Sequence, residues 1–97
     1  MRILVLNPNT STGITDRLMA AARAAAAPGT ELKALTATRG FPYISTRAEA
    51  QVGGAVALEM LAEHHQHFDA AITAAFGDPG LAGARELFDI PVIGMAE

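Results

Sequence analysis

The alternation of short apolar runs with longer helical patterns constrains the fold of this 97-residue chain more than any other feature. Residues 3–6 form a continuous apolar run, which is typical of a strand buried on both faces of a parallel sheet. Further strands are predicted over residues 31–38, 68–75 and 90–94. Because strands that alternate with helices form parallel sheets with right-handed crossovers, we predict one three-layer α/β domain over residues 1–97. It should be flavodoxin-like, with the order β-α-β-α-β-α-β.

Local signals mark where the first helix begins and ends. Ser11 or Thr12 is expected to cap its start, and Pro28 with Gly29 should stop it. One face of this helix is predicted to carry its apolar residues, which are Ile14, Leu18, Ala21, Ala22 and Ala25. No helical pattern follows the fourth strand, so we expect one face of the sheet to be short of a helix there.

The second helix has a start signal and an unusual interior. Thr46 and Glu49 have capping-box spacing, in which each side chain accepts a hydrogen bond from the other residue's backbone N–H. Gly53 and Gly54 lie inside the same helix, where each should cost about 1 kcal/mol relative to Ala. We therefore expect either a close approach to the sheet or a ligand at these glycines, or a break in the helix.

Composition excludes several classes of function. The chain has no cysteine, so it can hold neither a disulfide framework nor a thiolate metal site. Its net charge of −3 argues against nucleic acid or a membrane as a partner, and no apolar run approaches the ~20 residues of a transmembrane helix. No glycine-rich nucleotide motif occurs, and the histidines at 64, 65 and 67 lack acidic or thiol partners at ligand spacing. We expect a cytoplasmic protein without cofactor or metal.

Two polar blocks follow predicted strands. Residues 7–11 read Asn-Pro-Asn-Thr-Ser, and residues 76–81 read Phe-Gly-Asp-Pro-Gly-Leu. Because the carboxyl ends of parallel strands meet at one edge of a sheet, where ligands bind, we expect both blocks to line one cleft. The first block alone also fits a simple turn, since Asn and Pro are common turn residues. In the second block, Asp78 before Pro79 predicts the N-cap of the third helix rather than a general base.

These blocks, followed by Ala-Arg-Glu-Leu at residues 84–87 and Pro-Val-Ile-Gly-Met-Ala-Glu at residues 91–97, resemble the amino-terminal half of the Asp/Glu/hydantoin racemase family. The resemblance implies cofactor-independent racemisation between two pseudo-symmetric halves that each supply one cysteine. One thiolate removes the proton α to a carbonyl, and the other thiol returns a proton to the opposite face. Two groups are needed because a single base restores the original hand, and a tuned thiol can act as acid or base near neutral pH.

The chain departs from this pattern at its most important position. The resemblance puts the first catalytic cysteine at residue 75, where this chain has Ala75, and the half with the second cysteine lies outside these residues. We therefore expect no racemisation by the two-thiol route. An engineered change, a natural variant lineage and a fragment of a longer chain all fit, and the sequence does not separate them.

The resemblance also implies a set of substrate-binding residues, which are Asn7, Ser11, Ala75 and Phe76. Tyr43 fits equally a loop anchor or a phenol that faces the substrate. Members of the family often carry Ser-Ile-Glu-Gly near this loop, whereas residues 44–47 here read Ile-Ser-Thr-Arg. The implied partners are a small molecule (a hydantoin, another ureide or an amino acid derivative) and a further copy of the chain in a homo-oligomer.

Two alternative functions stay open. The chain could be a non-catalytic module that binds a small carboxylate or ureide or pairs with a second copy of itself. It could also be a relative of arylmalonate decarboxylase or maleate isomerase. Those enzymes use thiols as well, so the absence of cysteine argues against them in the same way.

Overall fold

The computed structural model describes all residues from 1 to 97, and they form four strands and three α-helices. In chain order these are β1 (Arg2–Asn7), α1 (Thr12–Ala25), β2 (Glu31–Thr36), α2 (Arg47–His64), β3 (Ala70–Thr73), α3 (Leu81–Leu87) and β4 (Val92–Gly94), with a 3₁₀ turn at His65–His67 after α2. The strands are parallel and lie in the order β2-β1-β3-β4. The α/β class and the element order are thus confirmed, and the order is that of a flavodoxin-like sheet.

The strands are shorter than the apolar runs that predict them. β3 begins at Ala70 rather than at residue 68, because Phe68 still donates its N–H to His65 O (3.2 Å) at the end of the 3₁₀ turn. β4 begins at Val92, after Pro91, which has no backbone N–H to donate. β2 ends at Thr36, where the chain turns towards α2.

β1 builds the core because its side chains alternate between two apolar layers. Leu4 and Leu6 are fully buried on the side of the sheet covered by α2 and α3, where they join a cluster with Leu61 and Ala84. Val5 points to the other side and packs with residues of α1. Full burial of a Leu or Val side chain stabilises the fold by roughly 1.5–3 kcal/mol, so this one strand holds the three layers together.

α1 presents a different face to the sheet from the predicted one. Thr15 and Met19 are its buried residues, and Leu18 and Ala22 pack beside them. Ile14, Ala21 and Ala25 do not join this packing. The apolar stripe of α1 is wider than its contact with the sheet, so the outer residues of the stripe do not pack against the strands. At β4 the same side of the sheet is less covered, since Ile93 is 49% exposed.

The helix starts agree with the predictions for α1 and α2. Ser11 Oγ accepts the N–H of Ile14 (3.3 Å). Thr46 Oγ1 accepts the N–H of Glu49 (3.1 Å), and Glu49 Oε1 accepts the N–H of Thr46 (2.9 Å), so the capping box is formed. None of the helices combines the length and the apolar character that crossing a bilayer requires.

The predicted N-cap at Asp78 is wrong. α3 begins at Leu81 after Gly80, whose backbone is left-handed with φ of 81°. Asp78 is also left-handed (φ 49°), and its Oδ1 accepts the N–H of Ala96 (2.9 Å) in the segment after β4. The carboxylate is therefore used between two loops rather than at a helix end.

The glycine pair in α2 marks a close backbone contact. α2 continues through Gly53 and Gly54 without a break. A Cβ on Gly54 would lie 3.1 Å from the backbone N of Gly80, and one on Gly80 would lie 2.8 Å from Gly54 O. The close approach is thus between α2 and the loop after β3, and this contact fixes the position of the loop.

Candidate functional site

The two polar blocks leave the sheet side by side. β1 and β3 are neighbours, Leu6 pairs with Thr73, and the N–H of Ala74 donates to Leu6 O (2.8 Å). β2 lies on one side of β1 and β3 on the other, so the strand order reverses at this point. Ligands in open α/β sheets bind at such a switch point, beyond the carboxyl ends of the strands. The predicted location of the cleft therefore coincides with the geometry of the sheet.

A cavity of about 390 Å³ lies at this edge. Its walls come from the start of α1, from the loop before α2 and from the segments that follow β3 and β4. Nine of the eleven lining residues are hydrophobic, which is the usual composition of a small-molecule site. The outer stripe of α1, with Ile14, Leu18 and Ala21, forms one of these walls.

Three of the predicted site residues meet at this cavity. Ala75 is nearly buried (7% exposed), whereas Phe76 and Tyr43 stand at the rim and are 84% and 67% exposed. The backbone N–H of Phe76 donates to no protein acceptor. It is free to bind an oxygen of a ligand in the cavity, as the prediction for Phe76 requires.

Asn7 and Ser11 do not line the cavity. Asn7 is fully buried: its Nδ2 donates to Thr15 Oγ1 (2.9 Å) and to Ser11 O (3.1 Å), and its Oδ1 accepts the N–H of Asn9 (2.9 Å). Thr15 Oγ1 is in turn hydrogen-bonded to Thr36 Oγ1 (2.7 Å). The structure therefore does not support a direct contact of Asn7 with substrate, because its carboxamide joins β1, α1 and β2. The Ser11 hydroxyl caps α1 instead.

Asn9 is a polar residue of the cavity wall that the sequence does not single out. It is 8% exposed and lines the cavity, and its Oδ1 is buried without a hydrogen-bond partner. An unpaired buried acceptor costs roughly 1–3 kcal/mol, and an N–H donor of a ligand would supply the missing bond. Both asparagines of the Asn-Pro-Asn block are equally good candidates by residue type. The structure separates them, because the Asn7 carboxamide is hydrogen-bonded inside the protein and Asn9 lines the cavity.

A second set of contacts fixes the segment that follows β4. Arg85 donates to Val92 O (2.9 Å) and pairs with Glu97, whose Oε1 also accepts the N–H of Gly94 (3.1 Å). These bonds, from Arg85 first and then from Gly94, lower the pKa of the Glu97 carboxyl. Met95, which lies between them, is held at the cavity wall as a result.

Comparisons with known proteins agree with this architecture. A model of the family described as Asp/Glu/hydantoin racemase matches residues 3–97. The hydantoin racemase of Paenarthrobacter aurescens is 39% identical over 99 aligned positions, which cover all of this chain and 42% of that protein. The hydantoin racemase of Pseudomonas sp. (strain NS671) is 35% identical, with 39% of its length covered. The chain thus spans about two fifths of the length of these relatives.

Solved structures give the same result. The allantoin racemase of Klebsiella pneumoniae superposes with a TM-score of 0.91 and is 46% identical, over 97% of this chain and 39% of that one. The allantoin racemase of Pseudomonas fluorescens also has a TM-score of 0.91, with 37% identity and 40% of its chain covered. The sequence match and the shared fold extend over nearly the whole chain, and the chain therefore belongs to the Asp/Glu/hydantoin racemase family.

Proposed function

We propose that this chain is a ligand-binding half of a racemase-type protein that takes a small cyclic ureide or a related amino acid derivative. By itself it does not racemise by the two-thiol route. The observation that carries this proposal is the composition of one cavity wall, which contains Ala75 together with the unpaired carboxamide of Asn9. A ureide ring offers N–H donors for Asn9 Oδ1 and a carbonyl oxygen for the free N–H of Phe76.

The names of the relatives support the ligand class. Two are hydantoin racemases and two are allantoin racemases, and both names denote enzymes that act on cyclic ureides. These rings are small enough for a cavity of about 390 Å³. The mostly apolar wall suits the hydrocarbon part of such a ligand.

The chemistry at residue 75 limits what the chain does with a bound ligand. Racemisation requires a base that takes the proton α to the carbonyl while the bonding electron pair moves onto the carbonyl oxygen. The methyl group of Ala75 cannot accept that proton, and the cavity wall contains no carboxylate, imidazole or thiol. The wall residues bind and orient the ring, which is the other part of the catalytic task.

Proton exchange in heavy water tests the proposal. One thiolate is enough to exchange the α proton for deuterium on one face, even where two are needed to invert the carbon. We expect Ala75→Cys to catalyse exchange at C5 of hydantoin or allantoin above the spontaneous rate, measured by NMR. The unchanged protein should catalyse no exchange. Ala75→Ser should catalyse none either, because a serine hydroxyl is close in size to a cysteine thiol but is a far weaker acid. Absence of exchange by Ala75→Cys at ligand concentrations that calorimetry shows to be saturating contradicts the catalytic part of the proposal.

The non-catalytic alternatives are separated by the same measurements. A chain that binds the ring but gains no exchange with the new thiol is a binding module. The self-pairing alternative and the expected homo-oligomer stay predictions, and the half-exposed Ile93 of β4 is the apolar surface that such pairing would cover. A relative of arylmalonate decarboxylase or maleate isomerase would also need a thiol at residue 75.

A further inference from the structure

Arg17 is the one charged side chain in the cavity wall. It lies on α1 between Ile14 and Leu18, which line the same cavity, and at helical spacing these residues share one face. The chain has ten acidic residues, yet Arg17 forms no ion pair, and its side chain donates no hydrogen bond within the protein, unlike those of Arg2, Arg39 and Arg85. The guanidinium of Arg17 is therefore available to bind a ligand in the cavity.

The surroundings of Arg17 strengthen its preference for an anion. Hydrogen bonds between a guanidinium and a carboxylate are charge-assisted and frequently bidentate. Arg17 is exposed to solvent, so salt should screen its attraction to a carboxylate. No acidic side chain lines the cavity to compete for Arg17.

We propose that Arg17 is a specificity-determining residue that selects ligands with a carboxylate on the substituent of the ureide ring. This inference rests on the proposed function, since it requires the ring to bind at Asn9. Arg17 is five residues into α1, which is roughly 8 Å along the helix axis. Its side chain leans back towards the start of the helix. Asn9 and Arg17 line the same cavity of about 390 Å³, so a ring at Asn9 and its substituent at Arg17 would occupy one site.

The carboxylate class follows from the chemistry of such rings. Closing an N-carbamoyl amino acid into a hydantoin consumes the α-carboxyl group, so a carboxylate survives only where the amino acid side chain carries its own. Rings derived from acidic amino acids therefore retain an anionic substituent, and those from apolar amino acids do not. Arg17 distinguishes these two groups of ligand.

A matched ligand pair tests the inference. Hydantoin-5-acetate and its primary amide have nearly the same shape and differ in charge. We expect the unchanged chain to bind the acetate about tenfold more tightly in isothermal titration calorimetry, as one charge-assisted contact allows, and the preference should shrink as salt rises. Arg17→Gln should remove the preference by lowering the affinity for the acetate to about that for the amide. Arg23→Gln, on the same helix but outside the cavity, should change neither affinity.

The outcomes separate the two proposals. Equal binding of both ligands by the unchanged chain overturns the role of Arg17 and leaves the proposed function standing, as does a preference that survives in Arg17→Gln. Binding of neither ligand overturns the proposed function and this inference with it. Circular dichroism checks that each variant is folded, which is expected because Arg17 and Arg23 are exposed helix residues.

Discussion

At the scale of single residues, the two asparagines of the Asn-Pro-Asn block have opposite environments. Asn7 makes three hydrogen bonds inside the protein, and Asn9 Oδ1 makes none. We therefore expect Asn7→Leu to lower the free energy of unfolding by roughly 2–4 kcal/mol, because it leaves buried partners unpaired. Asn9→Leu should raise it by about 1 kcal/mol, since it removes an unpaired acceptor without a large change in volume.

Urea denaturation measures both changes in the free energy of unfolding, and calorimetry measures the affinity for hydantoin. Asn9→Leu should bind hydantoin at least tenfold more weakly than the unchanged chain, although it is more stable than that chain. A loss of stability in both variants would show that Asn9 is a structural residue like Asn7.

At the scale of elements, the contact between α2 and the loop after β3 sets the position of the cavity wall. An Ala in place of a helical Gly normally stabilises by about 1 kcal/mol. In Gly54→Ala the new methyl meets the backbone N of Gly80 at 3.1 Å, and backbone cannot move aside as a side chain does. We expect Gly54→Ala to destabilise by about 1–3 kcal/mol, as overpacking does.

Gly83→Ala is the matched control for this contact. Gly83 is also helical, in α3, and its Cβ would lie 3.5 Å from the Leu58 side chain, an ordinary distance. The free energy of unfolding of this variant, measured by heat or urea, should rise by up to about 1 kcal/mol. If Gly54→Ala is stabilised to the same extent, the two elements are not in the close contact described.

At the scale of elements, the sequence predicts the features that depend on neighbouring residues and not those that depend on distant contacts. The order of elements and the capping box follow from local patterns, because an apolar run or a Thr-x-x-Glu signal depends on residues close in the chain. The hydrogen bond of Asp78 could not be predicted from local signals, since its partner is the N–H of Ala96, 18 residues away. The wall role of Asn9 was hidden for a similar reason, because it depends on how the loop after β1 is folded back on Asn7.

At the scale of the whole molecule, three glutamates accept hydrogen bonds that hold loop segments to helices. Glu49 accepts bonds at the start of α2, Glu59 pairs with Arg39 of the preceding loop, and Glu97 holds the segment after β4 against α3. Each has its pKa lowered from 4.5, mainly by a bond from the backbone of Ser45 for Glu49 and from the arginine side chains for Glu59 and Glu97.

The direction of these shifts fixes how stability depends on pH. In the unfolded chain the three carboxyls take up protons near their ordinary pKa of 4.5, whereas in the folded chain they stay charged to lower pH. Their stabilisation is therefore complete above about pH 4.5 and is lost as the pH falls through the lowered values. We expect the free energy of unfolding, measured by urea titration, to fall between pH 5 and pH 3.

The triple variant E49Q/E59Q/E97Q should flatten this fall, and E86Q, whose exposed carboxylate has no hydrogen-bond partner, should not. An equally steep fall in the triple variant would place the acid sensitivity of the fold in other groups than these three glutamates.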